Sequence, residues 1–90
     1  MITIRFYAWI REKFGIRELR IDKKPQTLCD LLQLLRGEIG EKADILFDGD
    51  GIKGGIMIGI NNRLVRLDRL EDIYLRDGDI IDIMPLGSGG

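Results

Sequence analysis

The chain closes on Asp77-Gly78-Asp79-Ile80-Ile81-Asp82-Ile83-Met84-Pro85, followed by Leu86-Gly87-Ser88-Gly89-Gly90. Asp-Gly-Asp is a strong turn signal. Ile80 to Met84 then reads as a strand, with Ile81 and Ile83 on one face. Pro85 lacks a backbone N–H, so regular pairing is expected to stop there. Residues 86–90 carry too little side chain to pack. The end of the chain is therefore read as a half-buried strand that releases a bare tail.

Working back towards the N-terminus, the same period recurs. Ile2, Ile4 and Phe6 alternate with Thr3, Arg5 and Tyr7, which predicts a half-buried strand over 2–7. Residues 8–14 lose the alternation. Ile10 and Phe14 are four apart and Gly15 follows, so one or two helical turns are expected. Residues 18–21 alternate again, with Leu19 and Ile21 apolar, and Lys23-Lys24-Pro25 ends that strand. Thr27 is a good N-cap, and Asp30 completes a Thr-x-x-Asp capping pattern. Leu28, Leu31, Leu32 and Leu35 then fall on one helical stripe, and Gly37 is read as the C-cap. Ile39, Ala43, Leu46 and Phe47 fit a second short helix. Asp48-Gly49-Asp50-Gly51 and Lys53-Gly54-Gly55 are turn signals. Residues 56–60 read as a strand, Asn61-Asn62 as a tight turn, Leu64-Val65 as a short strand, and 66–76 as a loop.

A hairpin, one main helix and further strands define an α+β domain, with the helix across one face of a mixed sheet of four to five strands. The leucine stripe is expected to pack on Ile2, Ile4, Phe6, Ile56, Ile58 and Ile60. The expected division is a domain over 1–85 and a flexible tail over 86–90.

Composition removes several function classes. The chain has 90 residues, 44% apolar and 32% charged, with a formal net charge of −1. A domain of this size holds one modest core and little room for an enclosed active site. The 14 basic and 15 acidic residues are dispersed, so no nucleic-acid or membrane partner is expected. No apolar run is long enough to span a bilayer, and the alternating start does not read as a signal peptide. Together with one cysteine, Cys29, these point to the cytoplasm. Histidine is absent, which removes the commonest general base and the usual zinc sites; no metal is expected. Asp48, Asp50 and Gly51 share the start of a calcium-loop pattern but lack the closing Glu, and a solvated turn accounts for them. Cys29 reads as a half-buried helix residue. Arg63, Arg66, Arg69 and Arg76 read equally as a partner-facing patch or a solvated surface.

Four segments resemble the MoaD/ThiS sulfur-carrier proteins, which have the ubiquitin-like β-grasp fold. Ile4-Arg5-Phe6-Tyr7-Ala8-Trp9-Ile10-Arg11-Glu12 is similar to that family's first strand and short helix, above all in the small subunit of molybdopterin synthase. Thr27 to Leu32 resembles its helix start, and Ile58-Gly59-Ile60-Asn61-Asn62 its middle strand and turn. The closing motif from Asp77 to Pro85, with terminal Gly89-Gly90, is the most specific. The family usually has an aromatic residue at Met84 and often a second proline at Leu86; Gly87-Ser88 is unusually bare here. Gly89-Gly90 alone is weak, since an added linker reads the same way.

The resemblance implies a carrier rather than an enzyme. A carboxylate is a poor electrophile and needs activation, and this chain has no phosphate-binding loop for ATP. A partner ubiquitin-type activating enzyme would use the ATP; no cofactor is expected on this chain. It would adenylate Gly90, and a sulfur donor would convert it to a thiocarboxylate. The acceptor expected from residues 4–12 is the large subunit of molybdopterin synthase. Alternatives are a thiamin-type carrier, or a protein modifier joined through Gly90 to lysines. Glycine at 89 suits threading of the tail through a narrow channel. Residues 85–90 reach at most about 20 Å. The expected partner contacts are Met84, Pro85, Leu86, Gly87 and Ser88, with Met57 and Trp9 beside them.

Overall fold

The computed structural model describes residues 1–87. Strand β1 (Ile2–Phe6) leads into helix α1 (Ala8–Phe14), then strand β2 (Glu18–Ile21) and helix α2 (Leu28–Ile39). A 3-10 segment (Gly40–Ile45) follows, then the two-residue strands β3 (Phe47–Asp48) and β4 (Gly51–Ile52). Strands β5 (Ile56–Ile60) and β6 (Arg63–Leu64), a second 3-10 turn (Leu70–Asp72) and strand β7 (Ile80–Pro85) complete the chain.

The main sheet has five strands in the order β2-β1-β7-β5-β6, and β3 and β4 form a separate hairpin. β1 and β7 run parallel at its centre, and the other neighbours are antiparallel. The sheet is therefore mixed, as the alternation and the single main helix imply. Residues of even number in β1 and β5 and of odd number in β7 point to one side. That side holds Ile2, Ile4, Phe6, Ile56, Ile58, Ile81 and Ile83, all buried against Leu28, Leu31, Leu32 and Leu35 of α2. Ile60, expected in the core, packs at its margin and is only partly buried.

Helix α2 starts where its capping pattern places it. The Thr27 hydroxyl accepts from the Asp30 N–H at 3.1 Å, and the Asp30 carboxylate accepts from the Thr27 N–H at 3.2 Å. Two otherwise unpaired donors of the first turn are thereby satisfied, worth about 1 kcal/mol. The helix runs past Gly37 and ends at Gly40, whose φ of 54° and ψ of −116° suit glycine. Gly37 is interior because the next turn still buries apolar surface through Ile39. The expected second short helix is instead a 3-10 segment and the β3–β4 hairpin. Arg36 holds that hairpin to α2. Its guanidinium lies 4.3 Å from the Phe47 ring centroid and donates to the Gly49 carbonyl.

Residues 66–76, read as a loop, contain the Leu70–Asp72 turn and are fastened to α2. The Leu28 N–H donates to the Ile73 carbonyl and the Leu75 N–H to the Gln26 carbonyl. Leu67, Leu70, Ile73 and Leu75 pack on the core margin. Their spacing has no single period because the segment is irregular and anchored by its backbone.

The turn from β1 into α1 is strained. Ala8 has φ of 54°, the left-handed region. A residue with a Cβ there costs about 1–2 kcal/mol. An Ala-to-Gly change in a helix ordinarily costs about 0.5–1 kcal/mol, so Ala8→Gly is expected to be neutral or stabilising, read as an unchanged or raised Tm. Leu32, 3% exposed, lies inside the stripe. Leu32→Ala is expected to cost about 2–5 kcal/mol, seen in urea as a lower midpoint at an unchanged slope.

Candidate functional site

The face of the sheet turned away from α2 carries no covering layer among the described residues. The register lines one full row across it: Glu18, Arg5, Asp82, Gly59 and Leu64, one from each strand. The neighbouring row towards the chain end brings Met84 opposite Met57. Phe6 pairs with Ile83, so Tyr7 stands beside Met84 at the end of the parallel pair. The β2–β1 half of the face is thus charged and the β5–β6 half apolar. Gly59 lies between the two rows, where a Cβ would make ordinary van der Waals contact. A Cβ there would meet the Arg63 carbonyl oxygen at 3.4 Å and Cε of Met84 at 3.6 Å.

At the centre of the row, Asp82 is 5% exposed, an unusual place for a carboxylate. Arg5 and Tyr7 satisfy it. Arg5 Nε donates to Oδ1 at 2.7 Å and Nη2 to Oδ2 at 3.2 Å, while the Tyr7 hydroxyl donates to Oδ1 at 2.9 Å. The guanidinium also lies 5.9 Å from the Tyr7 ring centroid. The hydrogen bond to Asp82 raises the pKa of Arg5 and so favours its charged guanidinium. Tyr7 is raised as well, first by burial and then by its hydrogen bond to Asp82.

The strand end fixes where the tail departs. Pro85 is buried on the core side and pairs with Ile56, so its ring is not part of the exposed face. Pairing does not stop there. The Leu86 N–H donates to the Gly55 carbonyl at 2.7 Å. The proline sits at a position whose nitrogen points away from β5, so its missing N–H leaves that ladder intact. The Leu86 side chain is 64% exposed, and Gly87 takes φ of 64°. Trp9, 42% exposed, projects from α1 at the same end of the sheet, where the Tyr7 N–H donates to the Ile83 carbonyl. Ser88, Gly89 and Gly90 lie outside the described residues.

Met57, Met84 and Leu86 thus share one region, with Trp9 at its end. Two groups were not singled out from the sequence. Leu64, 64% exposed, extends the apolar half of the face, and Arg5, Tyr7 and Asp82 form its polar half. An acid flanked by Ile81 and Ile83 is a readable signal in itself; its partners depend on a register that is not. Cys29 is half-buried beside a cavity of about 20 Å³ lined by Leu32, Arg36, Phe47 and Leu70, room for about one water. Among the described residues no group of three or more His, Cys, Asp and Glu could hold a metal, and no helix is long and apolar enough to cross a membrane. Arg66 and Arg69 pair with Asp68 and Asp72 on the surface.

This architecture, with the tail leaving the central strand beside an open face, defines a protein of the ubiquitin-like carrier and modifier class. The chain belongs to the ThiS family, which it matches over residues 4–90. Its structure is similar to that of Urm1 from Sulfolobus solfataricus, at 30% identity and a TM-score of 0.69 over 93% of this chain and 99% of that one. Small archaeal modifier protein 1 from Methanosarcina acetivorans is 28% identical, with a TM-score of 0.78 over 99% of this chain and 95% of that one. SAMP1 from Haloferax volcanii shares the fold at a TM-score of 0.81 and 24% identity, over 99% and 98% of the two chains. No curated protein is similar enough in sequence to register as a match.

The raised Tyr7 pKa has a consequence for stability. The folded state keeps the phenolic proton to higher pH than the unfolded chain. The contribution is therefore full below about pH 10 and lost as pH rises through the folded value. Unfolding free energy measured from pH 8 to 11.5 is expected to fall more steeply at the alkaline end for the parent protein than for Tyr7→Phe. Equal slopes would remove Tyr7 from the Asp82 network.

Proposed function

We propose that the chain is a sulfur carrier in which residues 1–85 dock and residues 86–90 react. The carrying observation is the placement of the chain end: β7 lies at the centre of the sheet, and its last residues leave beside the open face of Met57, Met84 and Leu64. The family match that runs to residue 90 supports the same reading.

Activation belongs to a partner. ATP and the Gly90 carboxylate give an acyl-adenylate with release of pyrophosphate. A sulfide-level donor then forms a C–S bond, the C–O bond to AMP breaks, and a thiocarboxylate remains. This chain binds no cofactor in the cycle and is not itself the catalyst; a ubiquitin-type activating enzyme supplies the ATP site. Met57, Met84, Leu64 and Leu86 offer the apolar contact, with Trp9 beside them, and Arg5 offers charge at the opposite half. The sulfur acceptor is the large subunit of molybdopterin synthase, a choice that rests on the likeness of residues 4–12. The setting is the cytoplasm.

A second reading has its own support. Two of the structural relatives are named as archaeal modifier proteins. In that role the same activated Gly90 is attacked by a lysine amine and an isopeptide bond results.

Intact mass spectrometry of protein purified from its native host separates the readings. An oxygen-to-sulfur mass increase confined to the Gly90 carboxyl is the expected result, and deletion of Gly90 is expected to abolish it. An unmodified terminus, with Gly90 joined to lysine in larger species, would replace the carrier by the modifier. Finding neither would refute both.

A further inference from the structure

From the root of the tail we infer that the Leu86 N–H to Gly55 C=O hydrogen bond is a clamp that positions the reacting end of the chain, an inference that rests on the carrier reading. Three observations converge on it. The bond is short, at 2.7 Å, and continues the β5–β7 register one step past Pro85. Both of its ends are shaped by left-handed glycines, Gly55 at φ of 89° and Gly87 at φ of 64°. The acceptor loop is itself tied down. The Lys53 N–H donates to the Leu46 carbonyl at 2.7 Å, and Lys53 Nζ donates to the Asp44 carbonyl at 2.6 Å. The segment from Asp44 to Gly55 therefore ends on the root of the tail.

The clamp changes what a partner must capture. Leu86 leaves the sheet in one direction, and the chain beyond Gly87 has a contour length of at most about 11 Å. An unclamped root would let the terminal carboxylate sweep a wider volume. Ordering each freed residue on capture would then weaken binding about five- to thirtyfold. Once captured, the carboxylate would react at the same rate, because the clamp lies several residues from the reacting carbon. Leu86 and Gly55 are thus positioning residues, and Asp44 and Lys53 support them.

Two variants break the bond by different routes. Leu86→Pro removes the donor and the exposed side chain together, so Leu86→Ala, which loses the same side chain but keeps the N–H, is its reference; Gly55→Ala keeps the donor but puts a Cβ on left-handed backbone and shifts the acceptor. Amide hydrogen exchange on the free protein is read first, and the Leu86 amide is expected to exchange at least about tenfold more slowly than in an unstructured chain. ATP–pyrophosphate exchange is then followed with a purified ubiquitin-type activating enzyme and the carrier as the varied substrate. Gly55→Ala against the parent, and Leu86→Pro against Leu86→Ala, are each expected to raise KM about five- to thirtyfold with kcat within about twofold. A Leu86 amide exchanging at the unstructured rate, or an unchanged KM in both comparisons, would overturn the clamp. Equal losses in kcat and in thermal stability would mark the bond as structural only. Failure of the parent chain to be charged at all would sink the carrier reading and the clamp's role in charging, whereas a protected Leu86 amide would still leave the clamp itself standing.

Discussion

β7 lies between β1 and β5, so the last strand of the chain is the one that completes the sheet. Its parallel pairing with β1 brings together residues 77 positions apart, as Arg5 and Asp82 show. Without that pairing the β1–β2 hairpin and the β5–β6 hairpin are separate two-stranded pieces, each marginal in water. With it, Ile4, Ile81 and Ile58 form one apolar floor, and the leucines of α2 have a surface to bury against. The cost is a long-range closure that must be met before its contacts stabilise anything. The same constraint dictates where the tail emerges. A C-terminal strand at a sheet edge would leave from a corner of the domain; one at the centre leaves from the middle of the sheet's end, beside the open face.

The two faces of the sheet solve different problems. The α2 side needs only shape and apolar area, supplied by branched aliphatics from three strands. The open side must remain soluble while keeping a surface that another protein can cover. At its centre Arg5 and Asp82 neutralise one another at 2.7 Å, and Tyr7 occupies the remaining reach of the carboxylate. A buried acid left unpaired would cost several kcal/mol, so removing one partner harms more than the pair itself contributes. Pairing leaves the apolar half, Met57, Met84 and Leu64, undisturbed beside it. The sheet edges are short: β6 has two residues, and β2 has four, with Glu18 and Arg20 on its outer rows. Both features discourage edge-to-edge association.

How much of this was written locally can be judged element by element. The alternation of Ile2, Ile4 and Phe6 placed β1 and its buried side correctly, because a strand with one buried face has no other period. Thr27 and Asp30 located the start of α2 because a capping box is a short-range device. The end of α2 was less legible: Gly37 carries the right residue type, but the apolar contact of Ile39 outweighs one glycine's propensity. Residues 66–76 hid their packing because Leu67, Leu70, Ile73 and Leu75 reach the core from irregular backbone. At the site, Met57 and Met84 were readable as outward positions, whereas Leu64 joined them only through the Gly59–Leu64 register. Asp82's partners were hidden for the same reason, since a parallel register between distant strands leaves no local mark.

Pro85 shows how far a correct residue rule can carry. A proline in a central strand usually argues against the strand, since one ladder bond is lost. In β7, however, alternate residues turn their backbone groups to opposite neighbours. Asn61 donates to the Ile80 carbonyl and Leu86 to that of Gly55, so even-numbered positions serve β5 and odd-numbered ones face β1. β1 has already ended at Phe6 and turned, through left-handed Ala8, into α1. The missing N–H of Pro85 therefore falls where β1 has turned away, and the antiparallel side continues. The proline marks the end of the parallel pair rather than the end of the sheet, and β5 still holds the chain one residue further on, at Leu86.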